Sequence, residues 1–167
     1  MFSRILTKLI DEAILPAVLL IGAKVIGVLA VAKYYSIEVS PNSTFFSLYF
    51  SRVEDFLQVN SYSVALMLGV IFIGGFFFLI KSRLFHDTHI KPVHSQRLFS
   101  LGLSHFISTS FDIYSQGTIW LSYAFLLTVV CGMELFFGML YPWVFIASLA
   151  ITFFLTLILV SDVEREI

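Results

Sequence analysis

Long apolar runs separated by polar connections dominate the hydrophobic pattern of this chain. Four of these runs approach or exceed the roughly 20 residues that a helix needs to cross the hydrocarbon core of a bilayer. They are Ala13–Ala32, Tyr62–Ile80, Thr118–Leu140 and Trp143–Val160. The pattern therefore predicts an all-α polytopic membrane protein with four transmembrane helices in a single domain, residues 1–167.

Three further segments show the periodicity of amphipathic helices, with apolar residues on one face and polar residues on the other. They are residues 2–12, 44–59 and 96–114. Helices of this kind lie in the headgroup plane of a membrane. We predict that all three are interfacial, that the first continues into the first span, and that the run Ser115-Gln116-Gly117 ends the third.

Composition supports the same class of protein. Hydrophobic residues make up 59% of the 167 positions and charged residues only 13%, which is too little charge to cover a soluble domain. We therefore expect the protein to lie in a lipid bilayer. The formal net charge of −1 argues against a nucleic-acid partner. The single cysteine, Cys131, excludes a disulfide within the chain.

Lysine and arginine are distributed unequally between the two sides of the predicted bundle. With a cytoplasmic N-terminus, the outer side holds Lys33 and Arg52. The cytoplasmic side then holds Arg4, Lys8, Lys81, Arg83, Lys91, Arg97 and Arg165. Because cytoplasmic connections carry the excess of positive charge, this bias predicts that both termini are cytoplasmic.

An alternative reading of the N-terminus is a cleaved signal peptide that ends near Ala30-Val31-Ala32. Asp11, Glu12 and Lys24 interrupt the pattern of such a peptide, and the apolar run is long enough to span. We therefore favour a first transmembrane helix.

Lys24 and Glu134 are the charged residues within the predicted spans, where a lysine near the centre costs roughly 2.5–3.5 kcal/mol. Such a residue should face protein or water rather than lipid. Three interpretations are open. The two residues form a buried ion pair in the outer half of the bundle, they line an ion or proton path in which Glu134 titrates, or they contact another subunit.

The connection after the second span contains a group of candidate metal ligands. They are His86, Asp87, His89 and His94. Imidazole and carboxylate suit zinc, copper or iron, although a site requires the loop to fold back at Pro92. The alternative is a solvated loop whose His, Lys and Arg side chains meet lipid headgroups. We favour the solvated loop and expect no metal and no other cofactor.

Small and polar residues at helical spacing predict close packing of the helices. The fourth span carries a stripe of Ser148, Thr152 and Thr156, and Gly27 lies four residues after Ala23 in the first span. Small residues at this spacing let two helices approach closely. The stripe is therefore interpreted as a packing surface.

The chain contains no GxSxG, HExxH, P-loop or dinucleotide-binding motif. This absence favours a non-enzymatic function. We predict a small accessory or structural subunit of a membrane assembly, with other membrane subunits or a second copy of the chain as partners. The alternative is a small ion-, proton- or metal-coupled transporter that uses Lys24 and Glu134.

Overall fold

Helices form nearly all of the computed structural model, which describes residues 2–37, 39–41, 48–85, 92–102, 107 and 109–163. The five helices are α1 (Phe2–Tyr34), α2 (Val53–Phe85), α3 (Pro92–Ser100), α4 (Ser110–Phe136) and α5 (Pro142–Val163). Four of them, α1, α2, α4 and α5, are long and apolar enough to cross a membrane. The all-α prediction and the number of long apolar helices are therefore confirmed.

The segment before α2 differs from the prediction of an interfacial helix over 44–59. Leu48–Phe50 is a short strand, β2, that pairs antiparallel with β1 (Val39–Pro41). The polar residues Glu54 and Asp55 belong to the first turn of α2, where negative charge suits the helix dipole. The predicted helix over 44–59 is therefore wrong at residues 48–50. Residues 53–59 are helical but form the start of α2 instead of a separate helix, and residues 42–47 lie outside the described part.

The prediction of one interfacial helix over 96–114 is also wrong. The short helix α3 ends at Ser100, and Gly102 adopts a left-handed conformation with φ +70°. α4 then begins at Ser110, and Thr109 caps it by accepting a hydrogen bond from the Asp112 N–H. Two of the described helices, α3 and α4, therefore share the predicted segment.

α4 also continues through Ser115-Gln116-Gly117, where the sequence predicted a break. A side chain at Gly117 would meet the ring of Phe78 at 2.7 Å and Leu159 at 3.0 Å. The absence of a side chain at Gly117 therefore lets Phe78 of α2 and Leu159 of α5 pack against α4, and the helix does not end there. At its other end α4 stops at Phe136, four residues before the predicted end of the third span.

The predicted segment 2–12 is helical and continuous with the first span. Its position at a membrane surface remains a prediction. α1 contacts α4 near this end, where Ser115 Oγ donates to Glu12 Oε2 at 2.8 Å and the Tyr123 hydroxyl donates to the Ala13 carbonyl at 3.1 Å. These bonds lie one turn before Pro16, whose ring disturbs the helical hydrogen bonds of the preceding turn.

Contacts between aromatic rings define one end of the bundle. Tyr35 stacks on Tyr62 at 6.1 Å between ring centroids, and Tyr62 contacts Trp143 at 5.8 Å. The end of α1, the first part of α2 and the start of α5 therefore meet there, together with the connection between α4 and α5. The N-terminus of α1 and the C-terminus of α5 consequently lie at the opposite end, which we call the terminal end.

The core lies along α2, which contacts α1, α4 and α5. The buried apolar side chains of this core include Leu68 and Ile71 from α2, Leu127 from α4 and Val144 from α5. Only 17–33% of the apolar windows of the four long helices is buried within the bundle. Large apolar side chains therefore cover most of the outer surface.

α1 and α2 approach each other closely at Gly27. A Cβ atom there would lie 2.8 Å from the Cα atom of Ser63, whereas a Cβ atom at Gly22 would meet nothing within 4 Å.

We expect Gly27→Ala to lower the free energy of unfolding by about 1–2 kcal/mol, because overpacking separates the helices. Gly22→Ala is the matched control and should raise stability by up to about 1 kcal/mol through helix propensity. Thermal unfolding of both variants in detergent compares them, and equal effects would contradict the predicted close approach.

Candidate functional site

Asn60 of α2 joins the two predicted intramembrane charges. Lys24 Nζ donates to Asn60 Oδ1 at 2.6 Å, and Asn60 Nδ2 donates to Glu134 Oε2 at 3.0 Å. The same amide nitrogen donates to the Met139 carbonyl at 2.9 Å. Asn60 is only 8% exposed, and these bonds use both of its N–H groups and its carbonyl oxygen. We call these four groups the Asn60 network.

The packing of α1 on α2 positions Lys24. Gly27 lies three residues after Lys24, so both residues share one face of α1. Because Gly27 contacts the backbone of α2 at Ser63, this face of α1 is directed at α2 near Asn60. Lys24 lies near the middle of the apolar part of α1, which runs from Glu12 to Tyr34. Its side chain is half-buried against the neighbouring helix.

The turn between α4 and α5 positions the other half of the network. The Gly138 N–H donates to the Leu135 carbonyl at 3.0 Å, and the Met139 N–H donates to the Glu134 carbonyl at 2.7 Å. With Gly138 at φ +70°, these bonds form a Schellman motif, which ends a helix and reverses the chain. The motif leaves the Met139 carbonyl free to accept its bond from Asn60.

Ser61, next to Asn60, holds the same turn from the other side. The Tyr141 N–H donates to Ser61 Oγ at 2.9 Å, and Ser61 is fully buried. Leu140, between the two bonded residues, is 2% exposed. Two consecutive polar side chains of α2 therefore dock the α4–α5 turn onto the bundle.

Electrostatics explains why Glu134 needs a cationic partner. Glu134 lies in the last turn of α4, where the helix dipole presents its negative end and disfavours a carboxylate. Lys24 supplies the compensating positive charge through the Asn60 amide. Both bonds to Asn60 involve a charged partner, and such hydrogen bonds are stronger than neutral ones. The network is therefore a neutral unit made from α1, α2 and the end of α4.

Lys24 and Glu134 were predicted from the sequence, whereas Asn60, the residue between them, was not. The hydrogen bonds of the two side chains run through Asn60, rather than directly from ammonium to carboxylate. The available signal was an asparagine close to two serines, Ser61 and Ser63, at the start of an apolar run. It was missed because residue 60 fell between the predicted interfacial helix and the predicted second span.

The predicted polar stripe of α5 lies partly against α4. Ser148 is fully buried and Thr152 is 6% exposed. The hydroxyls of Thr152 and Thr128 lie 2.8 Å apart, and either can be the donor. Thr156 donates to the Thr152 carbonyl of its own helix at 2.8 Å. The Thr152 hydroxyl therefore links α5 to a side chain of α4.

The candidate metal ligands are only partly within the described residues. His94 is exposed on α3, whereas His86, Asp87 and His89 lie outside that part of the chain. Among the described residues, no three His, Cys, Asp or Glu side chains lie close enough to hold a metal ion. The interpretation of the histidine loop therefore stays a prediction.

Comparison with known proteins gives no match to a family model, to a curated protein or to a solved structure. The Asn60 network and the apolar surface of the bundle are therefore the features that bear on function.

Proposed function

We propose that this chain is a non-enzymatic integral membrane protein that serves as a small accessory or structural subunit of a membrane assembly. The observation that carries the proposal is the Asn60 network. Its ammonium, amide and carboxylate bond to one another and to the turn between α4 and α5. The charged groups inside the apolar helices therefore hold helices together, which is a structural task.

The surface of the bundle supports insertion into a bilayer. Apolar side chains such as Ile21, Phe77 and Phe153 are 65–66% exposed, and similar residues surround the four long helices. Exposed to water, this apolar surface would promote aggregation. Contact with lipid or with another membrane subunit removes it from water. The same surface supplies the area that a partner helix would use.

The positive-inside rule predicts the orientation of the inserted bundle, with the terminal end and α3 in the cytoplasm. Single cysteines at Ser43 and Ser95 can test this prediction, because native Cys131 is fully buried. An impermeant thiol reagent applied to intact cells should label Ser43→Cys but not Ser95→Cys. Permeabilised cells should label both. Labelling of Ser95→Cys alone in intact cells would invert the topology.

Purification from gently solubilised membranes tests the subunit proposal. We expect a different membrane protein to remain bound in a fixed molar ratio through affinity capture and size-exclusion chromatography. Affinity capture of an unrelated tagged four-span protein under the same conditions controls for proteins that bind non-specifically. Recovery of the chain alone, as a monomer or homo-oligomer, in several mild detergents would contradict the proposal.

A transporter is the second candidate, and one observation favours it. An apolar groove of about 490 Å³ lies beside the network, and its lining includes Lys24, Asn60, Phe50 and Phe56. A groove that reaches an intramembrane cation could admit a transported species. Proteoliposomes loaded with a pH-sensitive dye separate the two candidates. Proton flux that the Lys24→Leu/Glu134→Leu double variant abolishes, while it remains folded, would favour transport.

A further inference from the structure

A second lysine, Lys81, lies at the terminal end of the bundle in a different electrostatic setting from Lys24. It lies one residue before the end of the apolar part of α2, which runs from Val53 to Ser82. Its half-buried ammonium donates to Gln116 Oε1 at 2.9 Å. Gln116 is a neutral amide, whereas the charge of Lys24 is compensated by Glu134. Within the described part of the chain, two of the three Lys81 N–H donors therefore have no hydrogen-bond acceptor and can bind an anion.

An apolar groove of about 380 Å³ starts at Lys81 and runs between α1, α2 and α4. Its floor contains Trp120, whose indole lies against α2 because Gly74 has no side chain there; a Cβ atom would lie 2.5 Å from the ring. Its rim contains Leu19, Ile73 and Phe77, which are 44–66% exposed. The groove is therefore open to the outer surface of the bundle along its side.

The length of this groove matches one leaflet of a bilayer. Its lining residues on α2 run from Val70 to Lys81, eleven residues apart. At 1.5 Å per residue this distance is about 16 Å, close to half of the roughly 30 Å hydrocarbon core. The cation stands at the membrane-surface end, and the deep end is apolar. This arrangement is complementary to a molecule with an anionic head and an extended hydrocarbon chain.

We propose that the groove, which we name the Lys81 groove, binds one anionic phospholipid of the bilayer. The phosphate would accept hydrogen bonds from the Lys81 ammonium, and one acyl chain would lie along Ile73 and Phe77. Basic pockets between membrane helices on the cytoplasmic side bind anionic headgroups in the same way. This inference rests on the proposed membrane insertion but does not depend on the subunit role.

Lipid retention measured by native mass spectrometry tests the proposal. The protein is placed in nanodiscs with equal amounts of phosphatidylglycerol and phosphatidylcholine of the same acyl chains, and is then released into mild detergent. The wild type should retain one phosphatidylglycerol in preference to phosphatidylcholine. Lys81→Gln should reduce this preference about fivefold, the effect of one cation near the membrane surface. Lys33→Gln, at the exposed opposite end of α1, should leave it unchanged.

A second pair of variants tests the groove without altering any charge. Ile73→Trp should fill the groove and lower phosphatidylglycerol retention, whereas Ile146→Trp, on a 63% exposed site of α5, should not. Equal retention of the two lipids by the wild type, or an unchanged preference in both Lys81→Gln and Ile73→Trp, would overturn the proposal. Alkaline carbonate extraction separates this failure from the failure of membrane insertion. Release of the wild-type protein from membranes by carbonate would overturn both membrane insertion and the lipid site. A protein that stays in the membrane but binds the two lipids equally would overturn only the lipid site.

Discussion

Asn60→Leu should lower the free energy of unfolding by about 3–4 kcal/mol, the largest effect that we expect from a single substitution. Leucine has a similar size but can make none of the three hydrogen bonds of the amide. The Lys24 ammonium, the Glu134 carboxylate and the Met139 carbonyl would each lose a partner in an apolar environment. A buried polar group left without its partner costs about 1–3 kcal/mol. Unfolding by SDS titration in mixed micelles measures the change.

Ser63→Ala is the matched control for Asn60→Leu. Ser63 is also buried in α2, but its hydroxyl donates to the Asn60 carbonyl within the same helix at 2.8 Å. Loss of this local bond should cost less than about 1 kcal/mol, because it removes one neutral hydrogen bond. If Asn60→Leu destabilises the protein no more than Ser63→Ala, the network does not hold the helices together.

Replacing either charged end of the network should have the next largest effect. We expect Lys24→Leu and Glu134→Leu each to lower the free energy of unfolding by about 3 kcal/mol, the lower end of the range for buried ion pairs. Each change leaves an uncompensated charge in a medium of low dielectric constant. Both side chains are only half-buried, which places the effect at that lower end. Purified yield and melting temperature in detergent should fall together.

The double variant Lys24→Leu/Glu134→Leu should be much less destabilised than the two single changes predict. No unpaired charge remains, and the desolvation that opposed the pair is removed. Asn60 also retains its bond to the Met139 carbonyl, so the α4–α5 turn stays docked on α2. Lys33→Leu, at an exposed position in the last turn of α1, controls for the removal of a lysine as such.

The sequence predicts the helices well because their signal is local. A run of about 20 apolar residues indicates a span wherever its neighbours lie, and a charge within such a run stands out. Lys24 and Glu134 could therefore be identified without a structure. Their joint contact with Asn60 depends on the register of three helices. That register is determined by packing between helices, such as the approach of Gly27 in α1 to Ser63 in α2. No single segment of sequence reveals such packing.

The errors at the ends of elements have the same origin. The apolar run Leu48-Tyr49-Phe50 suits a helix as well as a strand, and its pairing with Val39–Pro41 decides between them. Gly117 has the local character of a helix breaker, yet the ring of Phe78 packs against it and the helix continues. Contacts between distant residues decided both cases. Local periodicity could not have predicted them.

The coupling free energy between Lys24 and Glu134 tests the central claim most directly, namely that the charges of the Asn60 network form a structural unit. A double-mutant cycle of Lys24→Leu and Glu134→Leu, measured by SDS titration under one set of conditions, gives this quantity. Linked residues typically couple by about 0.5–3 kcal/mol, and independent sites add within about 0.3–0.5 kcal/mol. We predict a coupling of at least about 1 kcal/mol, with the double variant less destabilised than the sum of the two single effects. Simple additivity would show that the two residues act independently and would contradict the network.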